Sequence, residues 1–531
     1  MDKMIDHPIP NSVDAVIVGN GPSALILSYI LHGNVPYYTS SSPHPDPILH
    51  KKLSDSPCLL DIDVNELTAH FAASRLSYST QALPVNVLLD TLIRPLADTD
   101  PGKYQTCVEW HFEEEKAIKH IVLGNTAEAG GQWADNPVSA SWDIGTLSYA
   151  EMLSLPGYSF EDHYQMLSGK HVPDFHRPTR REVADYLATY PRAVGIKDSI
   201  YTNVEVGQIS RTHEGFHIGS HNTVCKNLIL ASGVFSHLIP PRPLLRPLGP
   251  LTSATHTKEV TLLVVGSGFT AADVIISTPP GRKIIHIFKW DPENRPSPLR
   301  ACHPRAYPEY ANVYRQMKLA AMNTVGTHSV TSPMRTRKSN PFFTDRDWDK
   351  VYEGLPNTHI KDVAMRDDCA LLTLEASDGS ILEREISGMD YVIGRRGSLG
   401  YLDPGLADEI DTSMGQSPIN AALISGQTLR LKMEKSTELA PDLFAIGSLT
   451  GDSLIRFAYG GCFFTAQQIM GSSQSRPGTT ESSPTESSTR VSTAPSSPVD
   501  LHASGHSDLH LYKLTRLLSG EEDNAANEQP P

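Results

Sequence analysis

A glycine-rich turn lies near the start of the chain, in the segment VDAVIVGNGPSALILSYIL. Its pattern positions are Gly19, Gly21 and Ala24, which match GxGxxG/A directly after a Val/Ile-rich run and at the start of an apolar helix pattern. The first glycine permits a tight turn, the second lets the backbone approach a pyrophosphate, and the small third residue keeps the helix close to the strand. N–H groups and the positive dipole at the helix N-terminus favour a phosphate there. We predict a dinucleotide site, and the alternative is a tight turn without a ligand.

A second turn of the same kind occurs in the segment VTLLVVGSGFTAADVI. Its pattern positions are Gly266, Gly268 and Ala271, again between a predicted strand and a predicted helix. Two turns of this kind in one chain predict two dinucleotide sites.

A lysine follows the strand predicted after the second turn. This strand runs from Lys283 to Phe288, Lys289 comes next, and Arg282 stands just before it. A cation at this edge favours the 2′-phosphate of NADPH over NADH, so we predict that Lys289 binds NADPH with Arg282 as a helper. The alternative is that Lys289 is a solvated surface lysine.

The corresponding position after the first turn carries no acid. The predicted second strand, Val35 to Thr39, is followed by Ser40 to Ser42, where a dinucleotide fold usually offers an Asp or Glu to the ribose hydroxyls. We predict that these serines substitute for the acid or that the ribose is held differently.

A third feature lies in the segment from Asp442 to Met470, where a short predicted strand reaches Gly451 and Asp452 before a helix. Asp452 could cap that helix and hydrogen-bond a flavin ribityl hydroxyl. N–H groups at the helix start would stabilise negative charge on a reduced flavin. We predict that Gly451 and Asp452 bind the cofactor, and a plain helix cap is the alternative for Asp452.

This order of features resembles flavin-containing monooxygenases. Gly130, Gly131, Gln132 and Trp133 resemble their GGxW element beside the flavin, and LILASG (Leu228 to Gly233) resembles their ATG strand between the domains. Four further segments are similar to the oxidative-stress-induced growth inhibitor family, a branch of the same superfamily: LPVNVLLDTLIRP (Leu83 to Pro95), AIKHIVLGNTAEAGGQW (Ala117 to Trp133), MLSLPGYSFEDHY (Met152 to Tyr164) and GDSLIRFAYGG (Gly451 to Gly461).

The resemblance implies FAD at the first turn and NADPH at the second. It implies an NADPH-dependent monooxygenase, in which reduced FAD reacts with oxygen to a C4a-hydroperoxide and a small organic substrate takes one oxygen atom. Gln132, Trp133 and Arg456 are predicted to line the flavin, with Arg456 offsetting developing charge. The FxGxxxH fingerprint of flavin-containing monooxygenases is degraded: only His256 survives, and it is assigned either a catalytic role or that of an ordinary linker residue.

Two alternative functions differ from a monooxygenase in what they require of the sequence. A flavin disulfide reductase needs a redox cysteine pair, but the six cysteines are scattered without a CxxC or metal-ligand spacing, so we also predict no metal. A regulatory or interaction protein that keeps the flavin fold with weak or no turnover is the alternative, motivated by the degraded fingerprint and the missing ribose acid.

Composition limits which partners and which cellular compartment are expected for this protein. A formal net charge of -15 argues against nucleic acid and anionic membrane surfaces as partners. No apolar leader or membrane span is apparent, and the cysteine usage fits a reducing compartment, so we expect a cytoplasmic, soluble protein acting on small molecules and O2.

The elements that position these residues predict an α/β fold. We expect two Rossmann-like domains, the NADPH domain being inserted into the FAD domain. The predicted divisions are an FAD-binding part at 1–250 with a long insertion at 43–130, an NADPH-binding domain at 251–395, the C-terminal FAD-binding part at 396–470, and a Ser/Pro-rich disordered tail at 471–531. Within the tail, residues 508–518 carry leucines and a tyrosine at helical intervals. This spacing predicts either a docking helix or a transient helix without a partner.

Overall fold

The computed structural model describes residues 8–73, 82–95, 105–135, 140–253, 261–324, 346–410, 423–430 and 436–474. Two features of the sequence fall outside these residues: His256 and the predicted tail beyond residue 474. The last described helix covers the first four residues of the predicted tail, 471–474.

Eleven α-helices are described. They are α1 (Pro22–Leu31), α2 (Pro47–Asp55), α3 (Val64–Ala73), α4 (Pro84–Ile93), α5 (Phe160–Ser168), α6 (Arg180–Ala193), α7 (Phe269–Ser277), α8 (Pro308–Thr324), α9 (Trp348–Val351), α10 (Pro404–Ile410) and α11 (Tyr459–Gln474). Helical patterns in the sequence at 86–93 and 180–190 predict two of these helices, and they correspond to α4 and α6. Among the described residues, no helix has the length and apolar character needed to cross a membrane.

The first sheet has eight strands. They are β1 (Ser12–Val18), β4 (His120–Leu123), β5 (Ile200–Tyr201), β6 (Ile209–Thr212), β7 (Gly215–Ile218), β8 (Thr223–Leu230), β19 (Glu438–Ala440) and β20 (Leu443–Ala445). Its main path is β19-β20-β8-β1-β4-β5, and β6 and β7 extend it from β8. The five adjacent strands β20, β8, β1, β4 and β5 run parallel to one another, with β1 in the middle. This centre has the 3-2-1-4 order of a Rossmann sheet.

The second sheet is wholly parallel. Its order is β12-β11-β10-β16, and its strands are β10 (Leu262–Val265), β11 (Ile284–Phe288), β12 (Tyr352–Pro356) and β16 (Gly388–Tyr391). Side chains alternate across it, so that Leu262 and Val264 pack with α7 and α8 while Leu263 and Ile285 pack against a different apolar cluster. Burial on both faces explains why these strands read as continuous apolar runs.

Three smaller sheets complete the strands. They are β2 (Asn34–Tyr38) with β3 (Val108–Phe112); β13 (His359–Met365), β14 (Ala370–Glu375) and β15 (Ile381–Ile386); and β9 (His237–Leu238), β17 (Arg395–Ser398) and β18 (Leu423–Ile424). The pair β9 and β17 is antiparallel and lies where the chain leaves the first sheet and comes back towards it. The predicted α/β class with parallel sheets is confirmed.

Candidate functional site

The first glycine turn joins β1 to α1. Gly19 has φ +110°, and a Cβ added there would lie 2.4 Å from the carbonyl oxygen of Ala231, so a side chain is excluded by both conformation and contact. At Gly21, by contrast, no atom of the described residues lies within 4 Å of such a Cβ. Ala24 is fully buried beneath the turn. The backbone is therefore open to a ligand at the second glycine and closed against the sheet at the other two positions.

The second turn repeats this geometry between β10 and α7. Gly266 has φ +151°, and its added Cβ would lie 2.4 Å from the carbonyl oxygen of Val392. At Gly268 the nearest described atom, in Pro298, is 3.9 Å away. Ala271 is buried, with 1% of its surface exposed. Both turns thus leave the second glycine and the N-terminus of a helix of nine or more residues open to a phosphate.

A buried histidine braces the second turn. The ring of His286, on β11, lies 2.7 Å from the carbonyl oxygen of Gly266 through Nε2 and 2.8 Å from the Tyr352 hydroxyl through Nδ1. Burial lowers the pKa of His286 to about 4, so the ring is neutral near pH 7. Sequence reasoning missed this residue because it reads as an ordinary strand position.

The GGxW element lies directly against the first turn. The Gly130 N–H donates to the carbonyl oxygen of Asn20 at 2.8 Å, and a Cβ at Gly131 would come within 2.9 Å of the Gly21 Cα. Positive φ at both glycines lets the chain turn there into a short 3-10 helix, Gly131–Trp133. Gln132 and Trp133, both half-buried, therefore follow directly after the glycines that contact the dinucleotide turn.

The C-terminal segment reaches the same helix end. Gly447 has φ +68°, and its added Cβ would lie 2.4 Å from the Ser23 hydroxyl in the first turn of α1. The Cys462 thiol, on α11, lies 3.1 Å from the carbonyl oxygen of Ser23. The start of α1 is thus enclosed by segments more than 400 residues away in the chain, which no local pattern could show.

The predicted ribose position needs a correction. The segment Val35 to Thr39 does form a strand, β2, but it pairs antiparallel with β3 outside the first sheet. The parallel neighbour of β1 on that side is β4, so the ribose-binding position falls after Leu123 and not at Ser40 to Ser42. Glycine stands there, at Gly124.

The side chain of Asn20 fills the space beside Gly124. A Cβ on this glycine would lie 2.1 Å from the Asn20 Cγ. The Asn20 amide donates to the carbonyl oxygen of Glu128 at 3.2 Å and accepts from the Thr126 hydroxyl at 3.0 Å. No carboxylate fits at this strand end, and a ribose there would meet the amide and hydroxyl of Asn20 and Thr126.

Asp452 lies at the C-terminal corner but has other partners than predicted. It does not cap the following helix, because α11 begins seven residues later, at Tyr459. One carboxylate oxygen accepts from the Leu83 N–H at 2.8 Å and the Asn86 amide at 2.6 Å, and the other pairs with Arg430 at 2.6 Å. Burial raises the pKa of Asp452, and Arg430 opposes that rise. The described contacts therefore tie Asp452 to the start of α4.

Arg456 is likewise bound to α4. Its guanidinium donates to the Asp90 carboxylate through Nε, at 3.0 Å, and through Nη2, and both side chains are 6% exposed. Arg94 binds the other Asp90 oxygen at 3.0 Å and donates to the Arg456 carbonyl oxygen at 3.3 Å. Arg456 is therefore paired with Asp90. Its predicted role beside the flavin stays a prediction.

Backbone contact joins α4 to α11. A Cβ at Gly460 would lie 2.2 Å from the Val85 carbonyl oxygen, and the Gly461 N–H donates to the Asn86 side chain at 2.7 Å. The segments Leu83 to Pro95 and Gly451 to Gly461, far apart in sequence, therefore pack as one unit beside the first turn. Gly451, with φ +93°, lies in that unit, where its added Cβ would be 2.9 Å from the Gly426 carbonyl oxygen.

Lys289 and Arg282 lie at opposite ends of β11. Lys289 is exposed directly after the strand, at the position where a dinucleotide fold reads the ribose 2′ substituent. Arg282 is 3% exposed, precedes the strand, and lies near Asp390. Seven residue steps of extended chain separate the two side chains by roughly 20 Å. Arg282 therefore cannot help Lys289 to hold the same phosphate.

Two sheets with parallel strands at their centres, each with a glycine turn of the same geometry after a central strand, define an α/β protein of the Rossmann-like class. Curated relatives that match most of this chain are oxidative stress-induced growth inhibitors. The human oxidative stress-induced growth inhibitor 1 is 26% identical over 514 residues, which cover 89% of this chain and 97% of that protein. The resemblance to this family over most of the chain is confirmed. No family model matches the chain.

Solved structures superpose at lower similarity. A flavin-containing monooxygenase from Stenotrophomonas maltophilia is 12% identical with a TM-score of 0.45, covering 87% of this chain and 99% of its own. The bacillithiol disulfide reductase from Staphylococcus aureus is 11% identical with a TM-score of 0.47 and the same two coverages. Likeness at this level assigns neither an activity nor a substrate.

Proposed function

We propose that this protein is an FAD-dependent, NADPH-consuming monooxygenase that inserts one oxygen atom from O2 into a small organic substrate. The observation that carries this proposal is the repeated turn geometry: in both parallel sheets the second glycine and a helix N-terminus are open to a diphosphate. One such site suits a dinucleotide cofactor, and two in one chain suit a pair that exchanges a hydride.

The residues of the first site fit the diphosphate of FAD. Gly19, Gly21 and the N-terminus of α1 would hold it, while Gly130 and Gly131 close over the same turn. Asn20 and Thr126 would meet the adenosine ribose in place of the missing acid. Bound FAD supplies the chemistry by accepting a hydride from NADPH and passing electrons to O2.

The protein itself would orient the two cofactors and exclude water from the reaction. Gln132 and Trp133 follow the glycines that contact the first turn and would line the flavin. Gly266, Gly268 and the N-terminus of α7 would hold the NADPH diphosphate. A closed, preorganised site would exclude water from the reaction with O2. The substrate is the remaining partner to identify.

The course of the chain supports the proposed domain division. It leaves the first sheet after β8, forms the second sheet, and returns to the first sheet at β19. We assign 251–395 to an NADPH-binding domain inserted between two parts of an FAD-binding domain. A cytoplasmic location remains part of this proposal and follows from the composition.

A flavin-fold regulatory protein is the second candidate, and specific contacts favour it. Asp452 and Arg456, the side chains expected at the flavin, are held by α4, and the ribose acid is replaced by Gly124. A fold kept for binding a partner would tolerate these changes, whereas efficient turnover depends on groups placed at the cofactor.

The visible spectrum of the purified chain separates the two candidates. We expect a yellow protein whose flavin absorbance bleaches when NADPH is added without air and returns when oxygen is admitted. Without substrate, oxygen consumption should yield about one hydrogen peroxide per NADPH. A folded protein that stays colourless after incubation with FAD, or that is yellow but never bleaches with NADPH, would contradict the proposed activity.

Lys289→Ala should weaken NADPH binding far more than NADH binding. The side chain stands at the ribose end of β11 and would pair with the 2′-phosphate. Losing such a pairing costs on the order of 1 to 3 kcal/mol, or roughly tenfold to a hundredfold in affinity. Titration of both cofactors against the variant measures this. Lys283→Ala is the matched control, since Lys283 is an exposed lysine at the opposite end of the same strand; equal losses for both cofactors at Lys289 would refute the assignment.

A further inference from the structure

Two arginines from different elements lie within electrostatic reach of one another. Arg180 is the first residue of α6 and Arg395 the first residue of β17. Both are half-buried, and the two guanidiniums are close enough to repel one another. Within the described part of the chain neither forms an ion pair with a carboxylate, although most arginines in such surroundings are paired.

Arg180 is held rigidly beside the first turn. Its Nη2 donates to the carbonyl oxygens of Gln132 and Asp135, at the end of the GGxW element. Its guanidinium also lies 5.9 Å from the ring centre of Trp133 and 5.5 Å from that of Trp142. The Nε group is buried and has no hydrogen-bond partner among the described residues. A buried donor left unpaired calls for a partner, such as a water molecule, an ion or a ligand.

Arg395 lies where the chain crosses between the sheets. Its strand pairs with β9, and the neighbouring Gly397 is so close to the segment after β8 that an added Cβ would lie 2.3 Å from the Gly233 carbonyl oxygen. The guanidinium acts electrostatically on Arg180 and on Asp273 of α7, the helix of the second turn. The cluster therefore reaches from the GGxW element of the first turn to the helix of the second.

The nearby carboxylates act on the two arginines without contacting them. Asp273 accepts a hydrogen bond from the Tyr310 hydroxyl at 2.8 Å, and burial raises its pKa to about 6 while the two arginines oppose that rise. Asp135 is exposed to solvent. Burial, followed by repulsion from Arg395, lowers the pKa of Arg180 to about 10, so it still carries its charge at neutral pH. The Arg180 guanidinium thus keeps its charge without a carboxylate in ion-pair contact among the described residues.

We propose that Arg180 and Arg395 form an oxyanion-binding site between the two glycine turns, which takes a phosphate or carboxylate group of a molecule lying in the cleft. Guanidinium forks match the oxygens of these groups. Asp273 is five residues from Gly268, about 7.5 Å along the axis of α7, so a diphosphate at the helix start and the arginine pair are close neighbours. The group belongs either to the NADPH diphosphate, which rests on the proposed function, or to an acidic substrate.

Inorganic pyrophosphate and NADP+ test the site by thermal shift and titration. Pyrophosphate should raise the melting temperature of the full chain, and Arg395→Met and Arg180→Met should lose that shift. Arg181→Met is the matched control, because Arg181 is the next residue of α6, exposed and paired with Asp143 at 2.9 Å. It should keep the shift. Arg395→Lys keeps the charge without the fork and should keep a reduced shift, which provides a readout if the methionine variant does not fold.

The two sources of the oxyanion give different results with NADP+. If NADP+ affinity falls roughly tenfold to a hundredfold with Arg395→Met, the site holds the dinucleotide diphosphate. If NADP+ affinity is unchanged while the pyrophosphate shift is lost, the site takes the acid group of a substrate. Absence of a pyrophosphate shift in the wild-type chain, or its full retention in both methionine variants, would overturn the proposal. Flavin absorbance recorded on the same samples reports separately on the proposed function.

Discussion

Replacing Gly21 with valine should give a folded chain that no longer retains flavin. The new side chain would extend into the open space above the turn, where the proposed FAD diphosphate approaches the backbone, and would meet no atom of the described residues within 4 Å at its Cβ. The loss should therefore appear in the cofactor and not in the fold. Flavin absorbance relative to protein absorbance, together with the melting temperature, measures both quantities.

Two control substitutions make this result specific. Gly405→Val places the same side chain at another exposed glycine with no described atom within 4 Å, and should leave flavin content unchanged. Gly19→Ala should instead damage the fold, because φ is +110° and the added Cβ would lie 2.4 Å from the Ala231 carbonyl oxygen. A folded Gly21→Val chain with full flavin content would show that the first turn is not the flavin site.

Replacing Asp90 with alanine should greatly lower the stability of the folded chain. It removes the carboxylate that Arg456 and Arg94 share, and leaves buried guanidiniums without their counter-charge. Breaking one side of a buried ion pair costs about 3–5 kcal/mol in the free energy of unfolding. Urea or thermal unfolding followed by circular dichroism would measure this cost. The exposed pair of Lys52 and Glu66 supplies the control, since Lys52→Ala should cost less than about 1 kcal/mol.

The same substitution separates two roles for Arg456. If Arg456 serves mainly to hold α4, Asp90→Ala and Arg456→Met should each lower stability, and the double variant should lose less than their sum, because the two side chains contact each other. If Arg456 acts chiefly at the flavin, Arg456→Met would reduce flavin binding while stability stays close to wild type. That second pattern would contradict the assignment of its charge to Asp90.

Local patterns were enough to predict the two turns and several of the elements around them. A Val/Ile-rich run, two glycines and an apolar helix pattern are contiguous in sequence, so Gly19 and Gly266 could be assigned their turns without any tertiary information. The same holds for α4 and α6, whose periodicity lies within a single segment. Short motifs such as GGxW could be compared with a known family for the same reason.

Pairing between distant segments could not be predicted this way. Sequence reasoning chose Val35 to Thr39 as the neighbour of β1 because it comes next in the chain, yet β4 takes that place after an intervening stretch of about 80 residues. Parallel neighbours are set by crossover connections of any length, and no residue type marks which later strand will pair. The ribose-binding position moved to Gly124 as a result.

The amino-acid sequence by itself determined that this chain builds two open glycine turns, since the tight backbone there depends on residues adjacent in the chain. Only the tertiary structure decided which side chains surround those turns. Asp452 lies 369 positions from Leu83, from whose N–H it accepts a hydrogen bond, and Arg395 acts electrostatically on Arg180 from a different element. Burial, charge pairing and close approach depend on distances in space, and those distances exist only once the sheets and helices have packed.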